Sequence, residues 1–275
     1  MTLHLRKFHG LGNDFLVALD EEDAAACSLG PTDAIRLCER RTGIGADGLI
    51  RGEQPPAGSP VDVVMHLWNS DGSLAEMSGN GIRCLAHAVL LARGGSNATF
   101  TIATGGGIRV VHARTESSTG ASVRVAMGAA APGPPIPDAV RARFDGQRLA
   151  SVDVGNPHLV IEVADPWSVD IASDGAWTEQ AFPAGVNVEF IAAAEPDSLD
   201  LVVWERGAGM TRACGTGATA AASKAHEWGL VGRLVTVRMP GGTAQVEVGA
   251  ELTLIGPSEL IARIAVEPAV GAVPA

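Results

Sequence analysis

The strongest constraint on this chain is that it repeats itself. Trp68-Asn69 precedes Ser78-Gly79-Asn80-Gly81, and Trp204-Glu205 precedes Cys214-Gly215-Thr216-Gly217. In both copies the polar residue after the tryptophan stands nine positions before the residue that opens the glycine-containing run (78 − 69 and 214 − 205). Gly12-Asn13 is echoed by Gly155-Asn156, and Gly43-Ile44-Gly45 by Gly185-Val186-Asn187. These echoes keep their order at offsets of 136 to 143 residues (214 − 78, 156 − 13, 185 − 43). One pair would be coincidence; four in order predict a duplicated unit. A chain of 275 residues is long enough for two domains of ordinary size.

Each copy of the longest echo leads into a helix. After Ser78, the residues Ile82, Leu85, Ala86, Ala88, Val89, Leu90 and Leu91 point in nearly all directions around a helix predicted over 79–93. A helix apolar almost all round is enclosed by other structure. After Cys214 comes an alanine-dominated helix opening at about Gly215. Around these helices lie short strand-like runs separated by turn residues: 3–8, 15–19, 61–68, 99–103, 108–113, 123–127, 149–154, 158–163, 186–191, 199–205, 235–239, 244–248 and 251–255. A short helix capped by Thr32 or Asp33 runs through Arg40, residues 132–137 form a loop, and 268–275 read as a disordered tail. Strands in series with one buried helix per half predict an α/β (α+β) fold, an antiparallel or mixed sheet curled around each helix.

Composition narrows the partners. A net charge of −11 and a pI near 5.0 argue against nucleic acid or an anionic membrane surface. The amino terminus lacks the apolar core of a signal peptide, and no apolar run reaches the length of a membrane span. The reading is therefore cytoplasmic. Cys27, Cys38, Cys84 and Cys214 show no C-x-x-C spacing and no paired histidine, so no metal site or disulfide framework is expected. Cys27 and Cys38 read as small, partly buried residues. Gly43 to Gly48 matches G-x-G-x-x-G but follows a helix and enters a strand, the reverse of the dinucleotide-binding context.

Cys214 sits where unpaired N–H groups and the positive end of a helix dipole favour a thiolate and an anionic ligand. That position predicts a lowered thiol pKa. Asn13, Asn69, Asn156 and Asn187 lie next to glycine or at strand ends. A single Asn there would be a turn former, but four within the repeated motifs point to polar groups converging on a ligand. Glu205-Arg206 is either a surface ion pair or a carboxylate that tunes the thiol and binds an amine. His158, after Gly155-Asn156-Pro157, is either structural or helps set the ionisation of the thiol.

Several motifs together carry a resemblance. Phe8-His9-Gly10-Leu11-Gly12-Asn13-Asp14-Phe15, Asn69-Ser70-Asp71-Gly72-Ser73, Gly79-Asn80-Gly81-Ile82-Arg83-Cys84, Gly155-Asn156-Pro157-His158, Gly185-Val186-Asn187, and Glu205-Arg206-Gly207 through Ala213-Cys214-Gly215-Thr216-Gly217 resemble the diaminopimelate epimerases. The resemblance runs in order from residue 3 to about residue 265. It implies two similar domains related by pseudo-two-fold symmetry with the active site in the cleft between them. Those domains span 1–116, joined by a returning strand within 259–275, and 117–258. It further implies a cofactor-independent interconversion of LL- and meso-diaminopimelate, for lysine biosynthesis, by a homodimer. In that family the positions of Asn13, Asn69, Gly79, Asn80, Asn156, Asn187, Glu205, Arg206, Gly215 and Thr216 bind substrate. Proton transfer belongs to residues at both helix mouths, here Cys214 and Ser78.

Ser78 is the departure, because the family carries cysteine at both mouths. Serine excels as a helix N-cap and is a poor base. A thiol ionises near pH 8.5, and a hydroxyl lies toward the roughly 15.7 of water. A gap of several units amounts to at least ~5 kcal/mol, so an unassisted Ser78 slows two-base epimerisation by on the order of thousands-fold. Three explanations stay open: a deliberate Cys→Ser change, a lineage that uses Ser78 through water or Glu76, or loss of the reaction. Gly48, where some members carry a substrate-contacting glutamine, is a minor departure. Competing readings are a racemase for another amino acid, a non-catalytic binder, and a hydrolase built on Cys214 and His158. A one-base isomerase of the phenazine type would not need Cys214.

Overall fold

The computed structural model describes residues 2–267, so the tail expected to be disordered lies outside the described residues. The chain forms two compact units, one running to Val123 and resuming at Pro257, the other covering Arg124–Gly256.

In the first unit the order is β1 (Leu3–Gly10), β2 (Asn13–Leu19), a 3-10 turn (Ala24–Ser28), α1 (Pro31–Cys38), β3 (Gly48–Glu53), β4 (Val63–Asn69), α2 (Gly79–Ala92), β5 (Asn97–Thr104) and β6 (Gly107–Thr115). β7 (Gly120–Gly128) leads into the second unit. There follow β8 (Ala131–Pro132), α3 (Asp138–Arg143), β9 (Leu149–Asp153), β10 (Pro157–Glu162), a 3-10 turn (Pro166–Ser168), α4 (Ile171–Ala181), β11 (Asn187–Glu195), β12 (Ser198–Glu205), β13 (Gly209–Thr211), α5 (Gly215–Glu227), β14 (Leu234–Met239) and β15 (Gly242–Glu247). β16 (Leu252–Val266) closes the chain.

The pairing pattern is the same in both units. β1–β2 is antiparallel, β2–β3 parallel, β3–β4 antiparallel, β4–β5 parallel and β5–β6 antiparallel. β9–β10, β10–β11, β11–β12, β12–β14 and β14–β15 repeat that alternation step for step. In each unit the strands curl around one buried helix. α2 lies against β1 through β6, and α5 against β9, β10, β11, β12, β14 and β15. Helix α2 fills its sheet with Ile82, Leu85, Val89 and Leu90, all essentially inaccessible. Helix α5 presents alanines, and bulk comes instead from strand residues on the Glu189 side of the sheet, such as Val160, Ile191 and Val203, while Leu159 and Phe190 fill the opposite face with Val140 and Phe144. Burying one such side chain contributes roughly 1.5–3 kcal/mol.

The hairpin between β1 and β2 turns through only Leu11 and Gly12, both at positive φ (57° and 82°). That is the primed turn a tight hairpin requires, and Leu11 is strained in it because its Cβ crowds the backbone.

Several expectations are corrected. Beyond one buried helix per unit and the expected short helix α1, two further helices, α3 and α4, are present. α4 buries only Ile171, Gly175 and Thr178, a stripe too sparse to announce a helix. Gly175 is needed there because a Cβ would come within 2.6 Å of Trp204 Cβ. The cap of α1 is Gly30, whose N–H donates to the Asp33 carboxylate at 3.3 Å. The two strands expected at the carboxyl end are one continuous strand, β16, which pairs with β15 before Pro257 and with β1 after it. Proline lacks an N–H to give, and here it stands where the strand changes partners. Cys27 is exposed, not partly buried, because the capped 3-10 turn after Asp23 turns it outward.

Candidate active site

Ser78 and Cys214 occupy the same local geometry. Ser78 caps α2 with φ −136° and ψ 123°, and its Oγ accepts from the Gly81 N–H at 3.0 Å. Cys214 caps α5 with φ −122° and ψ 118°, and its Sγ accepts from the Gly217 N–H at 3.3 Å. Both have extended backbone and open a helix whose first-turn N–H groups have no intrahelical partner. Each is therefore a polar atom held against a cluster of donors at the positive end of a dipole.

In the first unit a polar network backs the helix mouth. Asn80 donates through Nδ2 to Asn13 Oδ1 at 3.1 Å, and Asn13 donates to Asp47 Oδ2 at 2.7 Å. Arg83, with no accessible surface, donates to Asn80 Oδ1 at 2.8 Å, to the Gly79 carbonyl at 2.9 Å and to the Pro257 carbonyl at 3.2 Å. Burial pushes this guanidinium down to about 10, so it stays charged at neutral pH and adds to the field at the mouth of α2. Asp14 is buried, which opposes ionisation, but Arg40 and Lys7 outweigh that and hold its carboxyl below the usual range. Asn69 stands apart from this network: it is exposed at the end of β4 and donates to Ser73 Oγ at 2.9 Å.

In the second unit Thr216 and Glu205 lie directly against Cys214. Thr216 Oγ1 lies 3.3 Å from its sulfur. Glu205, at the end of β12, accepts from the Thr211 hydroxyl and from the thiol itself. Asn187 donates to the Pro157 carbonyl at 2.8 Å and accepts from the Arg206 N–H at 2.9 Å, while the Arg206 side chain is exposed. His158 is fully buried between Glu189 (Nδ1···Oε1 2.7 Å) and Asn156 (Nε2···Oδ1 2.8 Å).

The expectation of a lowered thiol pKa is reversed. Burial pushes the Cys214 thiol well above its ordinary value, and the carboxylates of Glu205 and Glu189 push it further. Hydrogen bonds from Thr216 and the Gly217 N–H act the other way and are outweighed. At rest Cys214 is a thiol with a proton to give. Burial also raises Glu205 and Glu189 above the usual carboxylate range. Sequence reading passes over Glu189, Thr211, Asp47 and the role of Arg83. For Glu189 a signal exists: it is the one carboxylate among the apolar residues of the strand 186–191.

With this geometry in place, the relatives of the chain become informative. The family model described as diaminopimelate epimerase matches residues 5–131 and 150–259. The chain is 40% identical over 281 residues to the diaminopimelate epimerase of Corynebacterium glutamicum strain R, covering 95% of this chain and 97% of that protein. It is also 40% identical over 262 residues to the diaminopimelate epimerase of Synechococcus elongatus, covering 90% and 91%. The chain belongs to the diaminopimelate epimerase family.

More distant solved structures share its fold. A predicted epimerase from Pseudomonas aeruginosa superposes with a TM-score of 0.76 at 16% identity, covering 97% of this chain and 100% of that one. A hydroxyproline epimerase from Agrobacterium vitis, solved with trans-4-hydroxy-L-proline, superposes at 0.66 with 16% identity, covering 96% and 92%. Among the described residues no helix is long and apolar enough to cross a membrane.

Proposed function

We propose that this family member handles the α-proton of LL- and meso-diaminopimelate by two-base transfer, with Cys214 as one proton-handling group and the Ser78 position as the other. The observation that carries this reading is the shared N-cap geometry of Ser78 and Cys214 on two helices buried in equivalent sheets. In that chemistry one group removes the α-proton from one face of the carbon while the other delivers a proton to the opposite face. The protonated resting state of Cys214 suits delivery. Helix N–H groups stabilise the substrate carboxylate and the charge that builds on it. Buried Arg83 strengthens that field behind Ser78.

In the same reading Asn13, Asn69, Asn80, Asn156 and Asn187 bind substrate, as do Gly79, Glu205, Arg206, Gly215 and Thr216. His158 and Glu205 set the thiol's ionisation. The enzyme is cofactor-independent, cytoplasmic and homodimeric. With serine at the first mouth the chain binds substrate and turns it over slowly.

Calorimetric titration with LL-diaminopimelate, paired with the α-proton signal in heavy water, tests the assignment. The expected result is binding with slow α-proton exchange. Binding without any exchange supports a non-catalytic binder, and exchange of another amino acid but not diaminopimelate supports a different racemase. A burst of acyl-enzyme from a thioester would support the hydrolase instead.

A further inference from the structure

Because the two units share one pairing pattern, their positions can be matched by strand register. In the first unit Phe15 of β2 faces Gly48 of β3, and Val17 faces Ile50. In the second, His158 of β10 faces Asn187 of β11, and Val160 faces Glu189. The next strand agrees, since Leu49 faces Trp68 and Val188 faces Trp204. The helix mouths give an independent match. A Cβ built on Gly81 would meet Ile50 Cδ1 and Ser78 Cβ, each at 3.2 Å. A Cβ on Gly217 would meet Glu189 Oε1 at 2.7 Å and both Cys214 Cβ and Sγ at 3.3 Å. Phe15 and Ile50 are therefore the counterparts of His158 and Glu189. The same register aligns Asn187 with Gly48, correcting the Gly45 match drawn from the sequence.

One framework is thus completed in two ways. The first unit closes behind its helix mouth with phenylalanine and isoleucine, the second with an imidazole and a carboxyl group. His158 and Glu189 have no accessible surface, and Glu189 Oε2 has no hydrogen-bond partner among the described residues. Burying such a pair is costly, and apolar replacements of similar volume are often neutral or stabilising. The first unit shows that the framework does not require that cost. The pair is there for something other than the fold.

Its geometry says what it does. One proton lies between Glu189 Oε1 and His158 Nδ1. Either Nδ1 donates to a carboxylate, or a protonated Glu189 donates to Nδ1. When Glu189 holds the shared proton and donates it to Nδ1, the neutral ring keeps its own proton on Nε2 and donates it to Asn156 Oδ1; when Glu189 is ionised, the same bond requires the ring to carry both protons as an imidazolium. A proton on Nε2 holds the amide of Asn156 with its oxygen toward His158. Its Nδ2 makes no hydrogen bond among the described residues and remains available as a donor. A donor held in that sense suits a carboxylate and disfavours an ammonium group.

We propose that Glu189 is a positioning residue which, through His158, locks Asn156 as an N–H donor for a substrate carboxylate. This rests on the reading of Asn156 as substrate-binding given above.

The test uses the full chain, diaminopimelate as the probe, and three variants. Glu189→Leu removes the partner of Nδ1. Glu189→Gln keeps a group able to donate to Nδ1. The double variant His158→Phe/Glu189→Ile copies the first unit. Nitrogen-15 NMR of His158 reads Nε2 directly, and calorimetry reads affinity. The expected results are a protonated Nε2 in the parent, loss of that state in Glu189→Leu, and a Kd for diaminopimelate raised about tenfold, the loss of one oriented hydrogen bond. Glu189→Gln restores the parent spectrum and brings the Kd back to within about threefold of the parent's, less than half the free energy of a tenfold change. The double variant unfolds at or above the parent's denaturant midpoint yet binds at least as weakly as Glu189→Leu. Unchanged affinity in Glu189→Leu, a glutamine variant as weak as the leucine one, or an unprotonated Nε2 in the parent overturns the proposal. If the parent itself fails to bind diaminopimelate, the preceding reading fails, and the His158 spectra of parent and Glu189→Leu still decide whether Glu189 sets the proton on Nε2.

Discussion

Glu205→Gln isolates the charge that keeps Cys214 protonated. After burial itself, the Glu205 carboxylate is the largest influence raising the thiol, and it lies within hydrogen-bond reach of the sulfur. Two unit charges about 4 Å apart at an effective dielectric of about 20 interact by about 4 kcal/mol. Replacing the carboxylate with a neutral amide removes that repulsion from the thiolate and lowers the thiol pKa. Residual hydration and partial protonation of Glu205 reduce the effect, so the thiolate fraction at pH 8 rises by roughly ten- to a thousandfold. The assay is the pseudo-first-order rate of alkylation by iodoacetamide, followed peptide by peptide by mass spectrometry. It needs no substrate, which separates tuning of the thiol from any loss of substrate binding. Exposed Cys27 is an internal control whose rate should not change. The parent's Cys214 should react slowly at pH 8 and accelerate as pH rises, whereas the variant should react fast already. An unchanged or slower rate at Cys214 in Glu205→Gln, with Cys27 as before, would refute the account of the thiol.

Two further predictions concern stability against pH. Burial pushes the Cys84 thiol up to about 12, so between roughly pH 9 and 12 the unfolded chain gives up a proton that the folded chain keeps. Stability therefore falls as pH rises, by about 1.4 kcal/mol per unit from this group. Urea titrations at pH 9 and pH 10.5 should show the parent losing about 1.5 kcal/mol more than Cys84→Ala; equal losses would contradict the assignment. Burial pushes His87 down to about 4, so its neutral form is favoured in the fold. That contribution is present above about pH 6.5 and fades as pH falls toward 4, about 3 kcal/mol across the window. His87→Leu should flatten the acid limb of the stability profile, and a parent-like limb in that variant would count against it. In the core, Leu85→Ala should cost 2–5 kcal/mol in the same titrations, because Leu85 lies on the enclosed helix with no accessible surface. A loss under 1 kcal/mol would mean that the sheet does not close around α2.

Much of the framework could be read from residues because local chemistry specifies it. Gly12-Asn13 and Gly155-Asn156 mark turns, and the all-round apolar run after Ser78 marks a helix that must be enclosed. The helix mouths at Ser78 and Cys214 follow from the same signals. Helix α4 was not legible, since its burial is confined to Ile171, Gly175 and Thr178 and its glycine is explained only by Trp204 on a distant strand. The continuity of β16 across Pro257 was hidden because proline ordinarily ends a strand, and here it stands where the pairing partner changes. For the ionisation of Cys214 the sequence predicts the wrong sign. The helix dipole is visible in sequence, whereas the depth of burial and the approach of Glu189 exist only once β11 lies against α5. Glu189 stands out in the sequence as a lone carboxylate, but its meaning comes from register, which puts it where the other unit has Ile50.

Whether Cys214 and the Ser78 position act as a pair on one stereocentre is decided most directly by following LL-diaminopimelate in heavy water with Ser78→Cys. A thiol at the first mouth should raise both α-deuterium incorporation and inversion to the meso form by on the order of a thousandfold over the parent. Adding Cys214→Ser should take that gain away. Incorporation and inversion at the parent rate in Ser78→Cys, with Cys214→Ser equally without effect, would contradict the two-base account.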